Sequence, residues 1–108
     1  MDADRPETLE SRDRTREIAD LCRALTLLET GEEARRFLLD LATPGEIAAL
    51  AERWRVARLL AAGEKSYREI SAETGVSTTT VTRVARFLSQ EPHQGYRLVL
   101  DRFGDTPR

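Results

Sequence analysis

The sequence predicts an all-α protein, and three observations support this fold class. Apolar residues recur at intervals of three and four along most of the chain, which is the period of an amphipathic helix. No stretch of useful length alternates as a β-strand does. Residues 66–88 have the pattern of two short helices joined by a tight turn, a helix-turn-helix. We expect six helices in one helical domain at residues 12–103, after a flexible arm at residues 1–11 and before a frayed tail at residues 104–108.

The first two helices are predicted from apolar stripes. The first should run from Arg12 to Glu29. Thr30 with Glu33 has the spacing of a capping box that opens the second helix, which should end before Thr43. Burial of one large apolar side chain is worth roughly 1.5–3 kcal/mol, so the apolar surface left open on a monomer predicts a homodimer built by these helices. The side chains that carry this prediction are Leu27, Phe37, Leu38 and Leu39.

The third helix has a strong start signal, because Thr43 can act as N-cap and Pro44 suits the first helical position. It should continue to Gly63. Apolar residues occur on more than one of its sides, so we expect it to be the central scaffold, with Trp54 as a core anchor. A last short helix is expected after Pro92.

The helix-turn-helix at residues 66–88 contains signals for both of its helices. Ser66 and Glu69 fit a capping box at the start of the first. Gly75 stands where the chain must turn, and glycine adopts a positive φ without Cβ strain. Ser77 can cap the second helix. The side chains expected on the buried face of that helix are Val81, Val84 and Leu88.

The distribution of charge favours a nucleic-acid partner more than the net charge of −2 does. Residues 53–88 hold seven basic and three acidic side chains, a local charge of +4, whereas residues 1–52 carry −6. Charges beyond about 10 Å are largely screened, so a phosphate backbone would respond to the local excess. The second helix of such a motif enters the major groove of DNA. The side chains expected to contact DNA are Arg53, Arg55, Arg68, Ser77, Thr78, Thr79, Thr80, Thr82 and Arg83.

Other features argue against other classes of function. The chain has a single cysteine, Cys22, so it cannot form an internal disulfide, which fits a reducing cytoplasm. We expect Cys22 to be a small buried hydrophobe. No run approaches the roughly 20 apolar residues of a membrane span, and the charged N-terminus is unlike a secretory signal. His93 has no metal-ligand partners, and no paired carboxylates, phosphate loop or nucleophile motif suggests an enzyme. We expect a cytoplasmic, non-enzymatic protein without metal.

The segment TPGEIAALAERWRVARLLAAGEKSYREISAETGVSTTTVTRV, which begins at Thr43, resembles the Trp repressor family and most closely its YerC/YecD-type branch. The shared elements are the TP-x-E helix start, the Arg53-x-Arg55 pair, the G-E-x-S connection and the T-[VI]-T-R end of the second motif helix. The resemblance extends over residues 15–103. It implies an all-helical, intertwined homodimer, a sequence-specific transcriptional regulator of the repressor type that binds a palindromic operator in double-stranded DNA.

The same resemblance bears on a ligand. In the tryptophan-responsive repressor two arginines hold the indole ligand, and they match Arg53 and Arg83 here. Val84 and Phe87 stand where that repressor has a glycine and a serine. Because two larger apolar side chains would overfill the space, we expect no response to L-tryptophan. The protein would then bind DNA without a corepressor or sense another molecule.

Two other functions remain compatible with the sequence. One is a DNA-binding module of another process, such as a sigma-like or transposase helix-turn-helix, although the usual companion domains do not fit a chain of 108 residues. The other is a helical protein-interaction domain, in which the motif would be a packing hairpin. The turn residues Gly75 and Val76, the cap Ser77 and the threonine-arginine face disfavour this second alternative.

Overall fold

The computed structural model of the protein describes residues 9–103. Within that range the chain forms six α-helices and no β-strand, which confirms the predicted all-α fold class. The helices are α1 (Leu9–Leu25), α2 (Gly31–Leu41), α3 (Pro44–Ala62), α4 (Tyr67–Thr74), α5 (Thr78–Ser89) and α6 (Gly95–Phe103).

The chain divides into two compact units, Met1–Thr43 and Pro44–Arg108. Helices α1 and α2 belong to the first unit, and α3 to α6 belong to the second. A single domain over residues 12–103 stays a prediction. Most of the predicted arm and the whole predicted tail, at residues 1–8 and 104–108, lie outside the described residues.

Helix α1 differs from its prediction at both ends. It begins at Leu9 rather than Arg12, so the last three residues of the predicted arm are helical. It ends at Leu25, because the following residues tighten into i→i−3 hydrogen bonds. The backbone N–H of Leu27 donates to the carbonyl of Ala24 at 3.0 Å, and that of Leu28 donates to Leu25 at 3.3 Å. The chain therefore leaves the α-helix four residues before the predicted end at Glu29.

Helix α2 starts where its cap predicted, although the cap differs in detail. The Thr30 hydroxyl accepts a hydrogen bond from the backbone N–H of Glu33 at 3.1 Å. The Glu33 carboxylate in turn accepts from the backbone N–H of Glu29 at 2.8 Å, one residue earlier than in a capping box. On the outer surface of the helix, Arg35 pairs with Glu32 at 2.9 Å. The backbone N–H of Glu33, which a helix start leaves without an intrahelical partner, and that of Glu29 just before the helix are thus satisfied locally.

The described side chains of the first unit leave much apolar surface open. None of them is buried, and Cys22 is exposed, so the prediction of a buried cysteine was wrong. Exposure reaches 58% at Ile18, 76% at Leu27 and 53% at Leu39. The periodic stripe that predicted α1 and α2 is real, but the described residues of this unit do not cover it.

The second unit contains the hydrophobic core. Helix α3 packs against α4, α5 and α6, as expected of a scaffold. Only Val56 and Ala57 of this helix are fully buried, and Leu50 near its start is 47% exposed, so α3 is not surrounded along its length. The other members of the core cluster come from the helix-turn-helix: Ile70, Val76, Val81 and Val84.

The expected anchor, Trp54, is half-buried and packs against this core. Its ring meets that of Phe103 from α6 in a T-shaped contact, with centroids 5.4 Å apart and planes at 81°. The guanidinium of Arg58 lies 4.8 Å from the same Phe103 ring. An aromatic and a cationic contact of this kind together hold the end of α6 against α3.

Candidate nucleic-acid interface

The first helix of the motif begins with the predicted capping box. The Ser66 hydroxyl accepts from the backbone N–H of Glu69 at 3.1 Å, and the Glu69 carboxylate accepts from the backbone N–H of Ser66 at 2.8 Å. This backbone donor, followed by the bond to the Ser66 side chain, lowers the pKa of the Glu69 carboxyl below its ordinary value. The start of α4 is therefore fixed by two residues three positions apart.

The turn of the motif depends on Gly75 and on one residue that the sequence analysis missed. Gly75 has φ 80° and ψ 1°, a left-handed conformation, and its N–H donates to the Ser71 carbonyl at 2.9 Å. The Thr74 hydroxyl donates to the Ile70 carbonyl at 2.7 Å and accepts from the backbone N–H of Val76 at 3.1 Å. A threonine directly before the turn glycine was the signal in the sequence for this role, because a threonine hydroxyl can form hydrogen bonds to nearby backbone groups in a turn. Val76, the turn residue after Gly75, is buried.

Two of the predicted DNA-contact residues hold the start of the second helix. Ser77 is the N-cap of α5 and accepts from the backbone N–H of Thr80 at 3.1 Å. The two hydroxyls of this pair are also 3.1 Å apart, with Ser77 donating to Thr80. Thr80 is half-buried. Because its hydroxyl already takes part in the cap, Thr80 has a structural task whether or not it meets DNA.

The two faces of α5 differ as predicted. Val81 and Val84 are buried in the core, and Leu88 is buried as well. The opposite face is exposed and polar. Its members are Thr78, Thr79, Thr82 and Arg83, which we call the outer face of α5.

An aromatic ring supports the arginine of the outer face. The guanidinium of Arg83 lies 4.4 Å from the centroid of the Phe87 ring, one helical turn further along, and that of Arg86 lies 5.6 Å from the same centroid. Phe87 is half-buried. An arginine over an aromatic face is attracted by the ring quadrupole, so Phe87 restricts the positions that Arg83 can sample.

The three arginines outside α5 that were predicted to contact DNA have different surroundings. Arg53 is half-buried, and Arg68 in the first turn of α4 is exposed. Arg55 is exposed but forms an ion pair with Glu73 at 3.2 Å. Lys65, which was not among the predicted DNA contacts, lies 3.3 Å from the same carboxylate. No local spacing rule could have found these contacts, because Glu73 is eight residues from Lys65 and eighteen from Arg55 along the chain.

Other possible sites are weaker. A shallow, largely apolar concavity of about 300 Å³ lies between α5 and α6. Its lining residues are Phe87, His93, Gln94, Gly95 and Tyr96. Across residues 9–103, no group of three or more histidine, cysteine or acidic side chains could hold a metal ion. None of the described helices is both long and apolar enough to cross a membrane.

These features define a helix-turn-helix protein whose second motif helix has one side in the core and a polar side in solvent. Residues 16–103 match the sequence model of the family described as Trp repressor protein. The chain belongs to the Trp repressor family, as the resemblance indicated.

Individual relatives agree with this membership. The chain is 41% identical over 93 residues to the uncharacterized protein YerC of Bacillus subtilis (strain 168), a match that covers 86% of this chain and 88% of YerC. This similarity confirms the YerC-type branch. Two solved structures are also similar, each at 33% identity.

The first is a TrpR-like protein from Eubacterium eligens ATCC 27750, with a TM-score of 0.78 over 91% of this chain and 99% of that one. The second is a Trp repressor candidate from Staphylococcus aureus, with a TM-score of 0.75 over 89% of this chain and 94% of that one. The fold of this chain is therefore that of TrpR-like proteins.

Proposed function

We propose that this protein is a sequence-specific DNA-binding transcriptional regulator, a repressor that acts as a cytoplasmic homodimer on a palindromic operator. The observation that carries the proposal is the two-sided α5, whose inner face is in the core while its outer face is polar and exposed. A helix anchored in this way can enter the major groove as a rigid body, with the residues near its N-terminus next to the base edges.

The outer face of α5 has the chemistry for reading base pairs. A threonine hydroxyl can donate to or accept from a base edge, and its methyl group can contact the methyl group of thymine. Arg83 can donate two parallel hydrogen bonds to a guanine, and its contact with Phe87 reduces the entropy lost when it does so. We assign Thr78, Thr79, Thr82 and Arg83 to base contacts.

The remaining predicted residues would contact phosphates. Arg53, Arg55 and Arg68 supply positive charge, and the start of α5 at Ser77 and Thr80 supplies a helix N-terminus. The partial positive charge of such a terminus attracts an anion. Contacts of this kind fix the position of the protein on the duplex without reading its sequence.

The homodimer is proposed from the open apolar surface of the first unit. Side chains such as Leu27 and Leu39 are more than half exposed. Covering several of them would contribute roughly 1.5–3 kcal/mol each. A twofold dimer would present two copies of α5, so the operator should contain two half-sites about 34–36 Å apart.

We further propose that L-tryptophan is not the corepressor. Val84, which the resemblance aligns with a glycine, is a buried core residue. The Phe87 ring lies against Arg83, the arginine that the resemblance assigns to the ligand. A ligand in that position would have to displace an aromatic ring that already contacts the guanidinium.

A selection of genomic fragments by mobility shift, followed by footprinting, tests this function. We expect a symmetric footprint with half-sites about one helical turn apart. The double substitution Thr82→Ala with Arg83→Ala should abolish the preference for that site over arbitrary DNA. Arg86→Ala is the matched control, because it removes an arginine from the same helix at a position that we do not assign to bases.

The outcomes separate the alternatives. An unchanged preference in the double variant would contradict the assignment of the outer face. A footprint that lacks twofold symmetry would favour a DNA-binding module of another process. Failure to bind any duplex at low salt would favour a helical protein-interaction domain.

A further inference from the structure

A carboxylate lies between two cations at one edge of the helix-turn-helix. Glu73, in the last turn of α4, accepts a hydrogen bond through Oε2 from Nη2 of Arg55 at 3.2 Å. Its other oxygen, Oε1, lies 3.3 Å from Nζ of Lys65. Arg55 belongs to α3, and Lys65 lies in the connection between α3 and α4. We call these three residues the Glu73 cluster.

We infer that Arg55 and Lys65 form a binding site for a backbone phosphate of DNA, and that the Glu73 carboxylate occupies this site in the DNA-free protein. The inference rests on the proposed function, because the ligand is DNA. It adds to that function a phosphate-binding residue, Lys65, and a competing anion, the Glu73 carboxylate. Carboxylate and phosphate are the two anions that arginine and lysine bind in proteins, and both present adjacent oxygens to the cations.

The cluster can exchange one anion for another because it is open to solvent. The side chains of Arg55, Lys65 and Glu73 retain 53%, 38% and 39% of their exposure. Exposed ion pairs contribute little to stability, since water solvates both charges and salt screens their attraction. Displacing the Glu73 carboxylate is therefore a small cost that a DNA phosphate can offset.

The position of the cluster suits this task. In a bound helix-turn-helix the first helix crosses the phosphate backbone while the second enters the groove. Glu73 lies in that first helix, two residues before the turn at Gly75. Glu69 also lies within the electrostatic influence of Lys65, but its carboxylate is hydrogen-bonded in the cap at Ser66, and the ion pairs of Arg55 and Lys65 are with Glu73.

Glu73 consequently limits the sequence-independent part of DNA binding. A phosphate that enters the site meets two cations with one anion still close by, so the local charge it meets is smaller than Arg55 and Lys65 alone would supply. The sequence-independent attraction to the backbone falls, while base contacts from the outer face of α5 are unchanged. Glu73 would therefore lower the affinity for double-stranded DNA of any sequence.

The test compares Glu73→Gln with Glu32→Gln. Both substitutions remove one negative charge from the protein, and both break an exposed ion pair, since Glu32 pairs with Arg35 at 2.9 Å. Binding to a short fluorescent duplex of arbitrary sequence is measured by anisotropy over a series of salt concentrations. Glu73→Gln should raise affinity roughly three- to tenfold at low salt and steepen the plot of log K against log salt by about 0.9. Glu32→Gln should do neither.

A second set of variants keeps the test independent of whether Glu73→Gln folds. Arg55→Gln and Lys65→Gln should each make the salt slope of the otherwise unchanged protein shallower by about 0.9, because each leaves one cation beside one anion. Arg35→Gln is their matched control and should leave the slope unchanged. In the Glu73→Gln background, Arg55→Gln should remove the gain in affinity.

Two results would overturn the inference in distinguishable ways. If Glu73→Gln behaves as Glu32→Gln does while the wild-type protein binds the duplex, the phosphate site is wrong and the proposed function stands. If the wild-type protein binds no duplex even at low salt, the proposed function is wrong and the inference falls with it.

Discussion

Replacing Gly75 with alanine should destabilise the helix-turn-helix through the backbone alone. Gly75 has φ 80°, and a Cβ added there would meet no heavy atom within 4 Å. Steric overlap with other residues therefore contributes nothing, and the cost comes from holding an L-residue in the left-handed region. That cost is about 1–2 kcal/mol, so the unfolding midpoint should fall by about 4–8 °C for each kcal/mol in a domain of this size.

A second glycine provides a matched comparison. Gly63, just after α3, has φ 72° and equally open space around its Cβ position. Gly63→Ala should therefore cost about the same as Gly75→Ala. Gly75→Asn should cost less than Gly75→Ala, because asparagine tolerates the left-handed conformation better than other L-residues.

Circular dichroism at one fixed protein concentration measures both quantities: urea unfolding gives the differences in free energy, and thermal unfolding gives the shifts in midpoint. Fixed concentration is needed because self-association would make the apparent stability depend on it. An alanine variant at Gly75 as stable as the wild type would refute the assigned backbone conformation. A loss of stability above about 3 kcal/mol would show that the added Cβ also clashes with other residues, since the left-handed conformation alone does not cost so much.

Three further predictions concern the cap, the dimer and the ligand. Because the pKa of Glu69 is lowered below its ordinary value of 4.5, its contribution to stability should be complete above pH 4.5 and lost as the pH falls through the lowered pKa. The free energy of unfolding of Glu69→Gln should therefore differ most from that of the wild type above that pH. A difference that does not change with pH would contradict the role of Glu69 in the cap. Leu39→Glu should shift sedimentation towards the monomer while Arg35→Glu does not, and a concentration-independent monomer in the wild type would end the dimer proposal. Calorimetric titration with L-tryptophan should give no binding heat, and micromolar binding would contradict the assignment of Phe87 to the ligand position.

The sequence predicted the motif well because its decisive interactions are local. The cap at Ser66 and the cap at Ser77 each join residues three positions apart, and Gly75 meets its conformational requirement alone. The inward face of α5 follows directly from helical periodicity, since positions three and four apart share a face. Such features can be found before any tertiary structure is known.

The sequence was less informative wherever burial or distant pairing decides the outcome. Cys22 lies on a real apolar stripe, but exposure depends on what covers the stripe, and the described residues of its unit do not cover it. The contacts of Glu73 with Arg55 and of Trp54 with Phe103 join residues that are many positions apart along the chain. Periodicity shows which side of a helix is apolar, but it does not identify the residue opposite.

The cap divides the hydroxyl side chains at the start of α5 into two groups with different evolutionary freedom. Ser77 and Thr80 keep the helix start in place, whereas Thr78, Thr79 and Thr82 are exposed and take no part in that cap. Substitutions at the exposed positions can thus alter recognition at little cost in folding, because surface changes away from caps and core are usually near neutral. A library randomised at these three positions should consist mostly of folded proteins, and new operator preferences could be selected from it directly.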